Sequence, residues 1–253
     1  MDGIQRRAAM ARFIEENDGA DVQTLAERFG VSAITVRRDR KILAEQNILS
    51  PTHGGAVPAG FMYGELAYAQ KVDVNVPLKK LIAKRAAELV PDNSIVILDA
   101  GTTTLELARL LMSRKLSVVT PDLQIALLLA QSPSVKVFIP GGEVDLETRS
   151  LLDSKAAHVL RETNAAISFV GIATWDASKG VSSSSIAKQE IKRTIMQQAS
   201  ETYLLVDSTK YGTCNPWSVA PLSDFDGIIT DDGLSAKARK DIAGAEGNLL
   251  IVN

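Results

Sequence analysis

The stretch TLAERFGVSAITVRRDR, residues 24–40, decides how the first part of this chain folds. Its first half places apolar residues on one face of a short helix that runs to Gly30, a residue suited to the left-handed backbone position after a helix end. Ser32 can cap a second helix, as Asp21 can cap the first. A helix, a tight turn containing Gly and a second helix with exposed Ser, Thr and Arg form the layout of a helix-turn-helix that reads DNA.

The second helix of this pair carries the polar side chains that would contact DNA. Arg can hold guanine through two hydrogen bonds, and Ser or Thr can contact bases or phosphates. The alternative is a solvated face of a small helical domain, because arginine pairs are common on protein surfaces. The candidate DNA-binding residues of this helix are Ser32, Thr35, Arg37, Arg38 and Arg40.

The surrounding segments predict a complete small domain. Residues 48–57 are typical of a two-stranded wing with a Gly-Gly pair at its turn. His53 and Gly54 in this wing are further candidates for DNA contact. We therefore expect a winged helix-turn-helix domain over residues 1–57. The side chains expected to form the buried side of the second helix are Ile34, Val36, Ile42 and Leu43.

Composition places limits on the class of protein. The chain has 253 residues, 45% of them hydrophobic and 23% charged, and its formal net charge is −2. Such a balance is ordinary for a globular protein and excludes a strongly basic nucleic-acid coat. Basic residues nevertheless outnumber acidic ones between residues 28 and 58, as expected for a compact DNA-binding unit on a mildly acidic body.

Cysteine usage and apolar run lengths predict the compartment. The single cysteine, Cys214, excludes an internal disulfide framework and a multi-cysteine zinc site, and it suits a reducing cytoplasm. The longest apolar run, residues 125–130, is far shorter than the roughly 20 residues that a helix needs to cross a bilayer. The N-terminus has no charged head followed by an apolar core, so no signal peptide is expected. We expect a cytoplasmic protein with no membrane partner, cofactor or metal.

The remainder of the chain predicts a second domain. Residues 58–77 contain scattered Pro, Gly and aromatic residues and are expected to form a linker with a short helix at its centre. A helix is predicted to begin at Lys79, and the α/β domain spans 78–253. Near-continuous apolar strands that alternate with helices indicate a mainly parallel sheet covered on both faces, and the four serines at 182–185 are expected to form a loop. Strands are predicted at 94–98, 116–120, 135–139, 166–172, 202–206, 227–230 and 248–252.

The segment Asp99-Ala100-Gly101-Thr102-Thr103-Thr104 lies between the first strand of this sheet and a helix. A Gly followed by three hydroxyl residues offers free amides, hydroxyl groups and the positive end of a helix together. The carboxyl end of a parallel strand is also where open α/β sheets bind ligands. The pattern predicts an anion site, most often for phosphate. An N-capped helix with a tight turn is the alternative.

Other strand ends supply further candidates. Gly141 and Gly142 follow a strand, where glycines let the backbone approach a ligand. Asp207 and Lys210 follow another, and they could hold sugar hydroxyls and a phosphate oxygen. A densely charged helix follows the four serines, and for each of its charges a ligand-binding role and a solvated face are equally open. Its charged residues are Lys188, Glu190, Lys192 and Arg193.

LAERFGVSAITVRRD followed by THGGA resembles the N-terminal signature of DeoR-type bacterial transcription regulators. The Ser-x-x-Thr-x-Arg-Arg-Asp pattern of that family's third helix is matched at residues 32–39, and its wing is matched at 53–56. The resemblance implies that Asp39 is structural and orients an arginine. Arg40 stands where the family usually has Leu, and the added charge can alter phosphate contacts or operator preference.

The resemblance continues through the α/β domain in the same order. It implies a sensor domain similar in fold to ribose-5-phosphate isomerase that senses phosphorylated sugars. It also implies that the Gly-Thr-Thr turn holds the phosphate and that Asp207 and Lys210 line the same pocket. The matching segments are Lys79-x-x-Ile82-Ala83, Leu98-Asp99-x-Gly101-Thr102-Thr103, Gly141-Gly142, Phe169-x-Gly171, Glu190-x-Lys192-Arg193 and Val206-Asp207-x-x-Lys210.

The leading hypothesis is a repressor of sugar metabolism genes that a phosphorylated sugar releases from double-stranded operator DNA, acting as a homodimer or homotetramer. One alternative is a DNA-binding protein whose C-terminal domain only oligomerises. Another is a sugar-phosphate isomerase, which needs a carboxylate base that Asp176, Glu190 or Asp207 could supply. The candidate effector-binding residues are Asp99, Gly101, Thr102, Thr103, Thr104, Gly141, Gly142, Asp176, Glu190, Asp207 and Lys210.

Overall fold

The structure is a computed structural model that describes residues 3–17, 19–45, 49–51, 55–58 and 67–253. The wing candidates His53 and Gly54 lie outside these residues. The chain divides into two compact units. The N-terminal unit contains Met1–Tyr63 and Thr213–Pro216, and the α/β unit contains Gly64–Gly212 and Trp217–Asn253.

The N-terminal unit has the predicted helices and wing strands. The strand order β1-β3-β2 forms a small antiparallel sheet, and the three helices share one apolar core that includes Met10, Leu25 and Val36. The predicted winged helix-turn-helix is therefore confirmed. Its elements are α1 (Gly3–Glu16), β1 (Ala20–Asp21), α2 (Val22–Phe29), α3 (Ala33–Glu45), β2 (Leu49–Pro51) and β3 (Gly55–Pro58).

The α/β unit alternates helices and strands from residue 68 to the end of the chain. Each predicted strand is present, with bounds shifted by a few residues. In chain order the elements are α4 (Tyr68–Lys71), α5 (Val76–Leu89), β4 (Ile95–Leu98), α6 (Thr102–Leu111), β5 (Leu116–Val119), α7 (Leu123–Leu129), β6 (Val135–Phe138), β7 (Val144–Asp145), β8 (Ser150–Leu151), α8 (Ser154–Arg161), β9 (Ala165–Gly171), β10 (Thr174–Asp176), β11 (Gly180–Ser183), α9 (Ile186–Gln197), β12 (Ala199–Leu205), β13 (Trp217–Ala220), β14 (Gly227–Asp231), α10 (Ala236–Gly244) and β15 (Leu249–Val252).

Seven strands form one parallel sheet in the order β15-β14-β12-β9-β4-β5-β6. Successive side chains of a strand point to opposite faces, so β4 contributes Val96 and Leu98 to one core and Ile97 to the other. Helices α5, α6 and α7 cover the first face, and α8, α9 and α10 cover the second. The predicted parallel sheet with two covered faces is confirmed.

Two small antiparallel sheets were not expected. Strands β7 and β8 form one, and β10, β11 and β13 form the other. The prediction of a loop at residues 182–185 is wrong, because Ser182 and Ser183 belong to β11. Ser185 instead caps α9, since its side chain accepts a hydrogen bond from the Lys188 amide at 3.3 Å. Pairing with the neighbouring β10 on one side and the distant β13 on the other overrides the low strand propensity of serine.

The segment before the sheet also differs from expectation at one end. The short helix predicted within residues 58–77 is confirmed as α4. The helix predicted to begin at Lys79 begins at Val76, because Pro77 fits the first turn of a helix, where no amide donor is needed. Throughout the described ranges, no helix combines the length and the apolar character needed to cross a membrane.

Candidate functional site

Local hydrogen bonds build the helix-turn-helix in the predicted way. The Asp21 carboxylate accepts a hydrogen bond from the Thr24 amide at 2.7 Å, which caps α2. Gly30 ends that helix with φ 62° and ψ 37°, in the left-handed region. The Ser32 hydroxyl accepts from the Thr35 amide at 3.2 Å and so begins α3. The predictions for Asp21, Gly30 and Ser32 are confirmed.

The outer face of α3 is cationic. Arg37 and Arg38 are exposed there. Ser32 is also exposed and Thr35 is half-buried, and their hydroxyl oxygens lie 3.0 Å apart in a shared hydrogen bond. Exposed guanidinium groups near the start of a recognition helix can reach phosphates and base edges in the major groove.

Arg40 occupies a different environment from its two neighbours. It is half-buried, and its Nη1 donates to the carbonyl of Gly55, the first residue of β3, at 2.5 Å. Desolvation by burial, and secondly the charge of Arg37, lower the pKa of Arg40. The guanidinium therefore ties α3 to the wing. DNA contacts by Arg40, and by His53 and Gly54 outside the described residues, stay predictions.

Two other residues of α3 define its inner and outer faces. Asp39 is buried, and its carboxylate pairs with Arg6 at 2.6 Å and with Arg7 at 3.5 Å, so it joins α3 to α1. The expectation that Asp39 orients an arginine is thereby confirmed. The expectation that Ile34 is buried is wrong, because 76% of its surface is exposed. The core beneath this end of α3 is filled instead by Val36.

In the α/β unit, the connections of the parallel sheet change direction at β4. Strands β5 and β6 follow on one side of β4, whereas β9 and β12 lie on the other. Ligands of open α/β sheets bind outside the carboxyl ends of the strands at such a point. The predicted anion turn, residues 99–104, leaves the sheet there.

A buried ion pair marks this edge of the sheet. The Asp99 carboxylate binds the Lys192 ammonium of α9 and also accepts from the Gly171 amide at 3.1 Å. Lys192 donates in addition to the Gly171 carbonyl at 2.7 Å. Asp99 and Lys192 are both buried, so the pair locks the ends of β4 and β9 to α9.

The Gly101 turn presents the start of α6 without a cap. Its N-cap residue, Gly101, has no side chain that could accept from the first-turn amides. The Thr104 hydroxyl donates backwards to the Gly101 carbonyl at 2.8 Å. The Gly101 amide donates to the Asp122 carboxylate at 3.0 Å. The free amides and the positive end of α6 together favour an anion.

A pocket lies directly in front of this turn. Its empty volume is about 410 Å³, part of which is open to solvent. Lysines from two helices face it, together with hydroxyl groups from the β7–β8 region. The lining residues are Tyr68, Lys71, Asp99, Ala100, Gly101, Thr102, Thr148, Ser150, Leu152, Lys188, Ile191 and Lys192.

Several of these lining residues were not predicted, whereas for Lys188 and Lys192 the sequence left a ligand-binding role and a solvated face equally open. Lys188 and Lys192 lie one turn apart on α9 and so share a face, a spacing that the sequence displays. Lys71 and Tyr68 lie on α4, in the predicted linker, and Thr148 and Ser150 lie on β8 and the turn before it. No local pattern indicated that these last four residues meet the Gly101 turn, because long-range packing brings them there.

The remaining threonines and glycines of the predicted set lie outside the pocket wall. Thr103 and Thr104 are buried in α6. Gly141 and Gly142 follow β6 with φ of 77° and 106°, a left-handed backbone that glycine favours. A Cβ on Gly142 would lie 2.2 Å from the Asp153 carboxylate, so this glycine gives room to a carboxylate of the protein itself.

The predicted carboxylates Asp176 and Glu190 are engaged elsewhere. Asp176 accepts from the amides of Ser178 and Lys179 in its own turn. Glu190 pairs with Arg161 at 2.7 Å on the surface. Neither lines the pocket. A ligand-binding role for these two residues stays a prediction.

Asp207 and Lys210 form a separate polar cluster at the end of β12. The Lys210 ammonium lies 3.5 Å from the buried Asp207 carboxylate and donates to the Ile172 carbonyl at 3.0 Å. Desolvation, followed by the charge of Lys210, lowers the pKa of the buried Lys79. Lys79 donates to the Lys71 carbonyl at 2.6 Å, which joins this cluster to the pocket wall. In the described part of the chain, no group of three His, Cys, Asp or Glu could hold a metal ion.

The N-terminal unit is a winged helix-turn-helix with a cationic α3, which is the fold of a DNA-binding domain. The α/β unit that follows has a pocket at the switch point of its parallel sheet, where domains of this type bind ligands. The family model for the DeoR-like helix-turn-helix domain matches residues 6–59, and the model for the DeoR C terminal sensor domain matches residues 74–232. The chain belongs to the DeoR family of transcriptional regulators.

The chain aligns with curated relatives over most of its own length and of theirs. The chain is 34% identical to the HTH-type transcriptional regulator YgbI of Escherichia coli K12, over 98% of this chain and 97% of that protein. It is 30% identical to the regulator GlpR of Haloferax volcanii, over 95% and 94%. It is 28% identical to the repressor GlcR of Bacillus subtilis, over 90% and 88%.

Solved structures show a weaker similarity. Ribose 5-phosphate isomerase A of Methanocaldococcus jannaschii matches with a TM-score of 0.41 and 19% identity, over 54% of this chain and 55% of the isomerase. The same enzyme of Neisseria gonorrhoeae matches with a TM-score of 0.39 and 17% identity, over 53% of each chain.

Changing Arg37 to Ala is expected to weaken binding to a specific DNA duplex by about 1–3 kcal/mol, because the variant loses a base or phosphate contact of the recognition helix. Gel-shift titration at constant salt measures the change. Arg161→Ala removes an equal charge from the surface of the α/β unit and is the matched control. Equal affinities of the two variants would contradict the placement of Arg37 at the DNA.

Asp122 is expected to make the α/β unit less stable as pH rises. Burial raises the pKa of this carboxyl to about 6, despite hydrogen bonds from the amides of Ile125, Gln124 and Gly101. A raised folded-state pKa means that the protonated carboxyl stabilises the fold below about pH 4, and that this contribution is lost as pH rises through about 6. The loss is at most on the order of 3 kcal/mol.

Urea unfolding followed by tryptophan fluorescence at pH 4 and pH 7 measures this effect. Both tryptophans, Trp175 and Trp217, lie in the α/β unit, so the signal reports on that unit. The Asp122→Asn variant should lose this part of the pH dependence. A variant whose stability changes with pH as much as the wild type would refute the assignment.

Proposed function

We propose that this protein is a transcriptional repressor that binds operator DNA through α3 and leaves it when a phosphorylated sugar occupies the pocket at the Gly101 turn. The single observation that carries the proposal is the composition of that pocket: the uncapped start of α6 faces the same space as Lys71, Lys188 and Lys192. Amides at a helix start and ammonium groups are the donors that hold a phosphate.

The charges in the pocket favour a dianion. Lys192 is compensated by Asp99, its buried partner. Lys71 and Lys188 also line the pocket, each with a half-buried side chain. A phosphate group carries a charge of about −1.5 to −2 at neutral pH, so ammonium groups in the pocket wall attract it. The phosphate is expected to bind between the Thr102 end of α6 and Lys188.

Hydroxyl and carboxylate groups that also line the pocket suit the sugar. Ser150 and Thr148 line the pocket, and their hydroxyl oxygens lie 2.7 Å apart. Such groups donate to and accept from sugar hydroxyls. The Oδ1 atom of Asp99 can also accept, because Lys192 and the Gly171 amide both donate to Oδ2. A phosphorylated polyol of a few carbons therefore fits the pocket better than inorganic phosphate alone.

Release from DNA requires that the sugar phosphate bind the form of the protein that cannot bind DNA more tightly than the form that can. Helix α4 is the element suited to transmit this preference. It supplies Tyr68 and Lys71 to the pocket, and it is the first described element after the wing strand β3. The Tyr68 amide donates to the Glu147 carbonyl at 2.8 Å, which ties α4 to the turn that carries Thr148.

The names of relatives support repression. GlcR of Bacillus subtilis is a transcriptional repressor, and a putative aga operon transcriptional repressor of Escherichia coli O157:H7 is 26% identical over 98% of this chain. We propose a homodimer or homotetramer, because two recognition helices bound to successive half-sites would explain a palindromic or repeated operator. Sedimentation of the full chain tests this assembly.

A thermal-shift screen of the full chain tests the proposal. Phosphorylated sugars, the same sugars without phosphate, and inorganic phosphate are compared by tryptophan fluorescence, which reports on the α/β unit. A ligand that binds only the folded state raises the melting temperature. We expect a phosphorylated sugar to raise it and also to release the protein from DNA in a gel shift. If no phosphorylated sugar raises the melting temperature, the alternative of a C-terminal domain that only oligomerises is favoured.

Catalysis of sugar-phosphate isomerisation is the remaining alternative. Isomerisation needs a carboxylate base within reach of the substrate carbon. The named candidates Asp176, Glu190 and Asp207 are absent from the pocket lining, and Asp99 is held by Lys192. We infer that the pocket binds its ligand without converting it. Turnover of ribose 5-phosphate by the pure protein would overturn this inference.

A further inference from the structure

The exposed face of α3 contains one apolar side chain among cations. Ile34, Arg37, Arg38 and Lys41 are spaced three and four residues apart, so they lie on one face of the helix. All four are exposed, and Ile34 is exposed over 76% of its surface. Among the residues of the N-terminal unit whose side-chain burial is described, Ile34 is the one large apolar side chain that is exposed.

The polar residues beside Ile34 are partly engaged inside the protein. The hydroxyl groups of Ser32 and Thr35 bond to each other, and Ser32 also caps the helix. Arg40 donates to the Gly55 carbonyl of the wing. The outer surface of α3 near its start is therefore defined largely by the aliphatic side chain of Ile34 and the guanidinium groups of Arg37 and Arg38.

We propose that Ile34 contacts the C5-methyl group of a thymine and thereby sets a sequence preference. The three cations on the same face favour a polyanionic partner. On the floor of the major groove, the thymine methyl is the apolar group that a base pair presents to a protein. When an isoleucine at the start of a recognition helix packs against that methyl group, both apolar groups leave water. The free energy gained on binding offsets the cost of exposing the isoleucine in the free protein.

This inference rests on the proposed DNA-reading role of α3, and the experiment separates the two. The full-length protein enriches duplexes from a randomised pool, and each thymine of one enriched duplex is replaced in turn by deoxyuridine. That replacement removes the methyl group and leaves the hydrogen-bonding edge intact. Failure to enrich any duplex would overturn the role of α3, and the assignment of Ile34 with it.

Wild-type protein is expected to bind about three- to five-fold more weakly when one particular thymine of a half-site lacks its methyl, as the burial of one methyl group predicts. Ile34→Ala should bind the thymine and uracil duplexes equally. Ile34→Val keeps a branched side chain and should retain part of the discrimination. Ile34 is exposed and Ala favours helices, so the variant is expected to fold.

Arg37→Ala is the matched control on the same face. It should weaken binding to both duplexes and keep the difference between thymine and uracil. Two results would overturn the assignment of Ile34: no thymine whose methyl affects binding, or a thymine whose methyl matters equally to the wild type and to Ile34→Ala. The second result would place the methyl against another side chain.

Discussion

Replacing Lys192 with Met is expected to lower the free energy of unfolding of the α/β unit by about 3–5 kcal/mol, because it leaves the buried Asp99 carboxylate without its cation. Lys192 is the ammonium partner of Asp99 and donates to the Gly171 carbonyl at 2.7 Å. The Met side chain fills a similar volume but supplies neither the charge nor the hydrogen bonds. The loss therefore measures the uncompensated charge together with the lost hydrogen bonds.

Urea unfolding of the full chain, followed through Trp175 and Trp217, measures the loss in the unit that contains the pair. Arg161→Met breaks the exposed pair with Glu190 and should cost no more than about 1 kcal/mol. The double variant Asp99→Asn, Lys192→Met should regain part of the stability, since no charge is then left buried. Equal losses for Lys192→Met and Arg161→Met would contradict a stabilising role of the pair.

Changing Lys188 to Glu is expected to abolish the response to the sugar phosphate while leaving DNA binding intact. The change removes an ammonium group that lines the pocket and places a carboxylate where we propose that the phosphate binds. One charge-assisted hydrogen bond contributes about 1.5–3 kcal/mol, and repulsion adds to its loss, so the effector concentration for half release should rise by about 100-fold or more.

The measurement is release from a labelled duplex by the sugar phosphate that the thermal-shift screen identifies. Lys179→Glu makes the same change of charge at an exposed position that does not line the pocket, and it should respond like the wild type. A Lys188→Glu protein that is released at the ordinary effector concentration would remove the pocket from the mechanism. A loss of DNA binding in the absence of effector would show that the variant disturbs the N-terminal unit.

Much of the helix-turn-helix was predictable because its signals are local. Asp21 and Ser32 accept hydrogen bonds from amides three residues ahead, and Gly30 supplies the left-handed turn between them. Interactions this close along the chain depend on residue type and spacing alone. The parallel sheet was predictable for a related reason: runs such as Ile95–Leu98 are apolar on both faces, as strands covered on both sides require.

Which side chains of α3 are buried was less predictable. Helical spacing tells which residues share a face of the helix, but it does not tell which face the neighbouring elements cover. Ile34 and Val36 are both apolar, yet Val36 is in the core and Ile34 is exposed. Arg40 looked like another surface cation, but its guanidinium reaches the Gly55 carbonyl of the wing. These outcomes depend on where α1 and the wing strands pack.

The pocket shows the same division between local and long-range information. The residues of the Gly101-Thr102 turn, and its place after a strand, were enough to predict an anion site there. The side chains opposite it come from α4, the β7–β8 region and α9. Lys192 meets Asp99 across a long separation in sequence, and Lys71 comes from a segment that looked like a linker.

The sequence by itself determined the order of the elements, the caps and turn of the helix-turn-helix, the alternation that forms the parallel sheet, and the family. Each of these depends on neighbouring residues or on a repeated spacing. The tertiary structure alone decided that Ile34 is exposed, that Arg40 holds the wing, and that lysines of α4 and α9 face the Gly101 turn. Side chains distant in sequence can share charge and volume only after the chain has packed, so no local pattern can specify which of them meet.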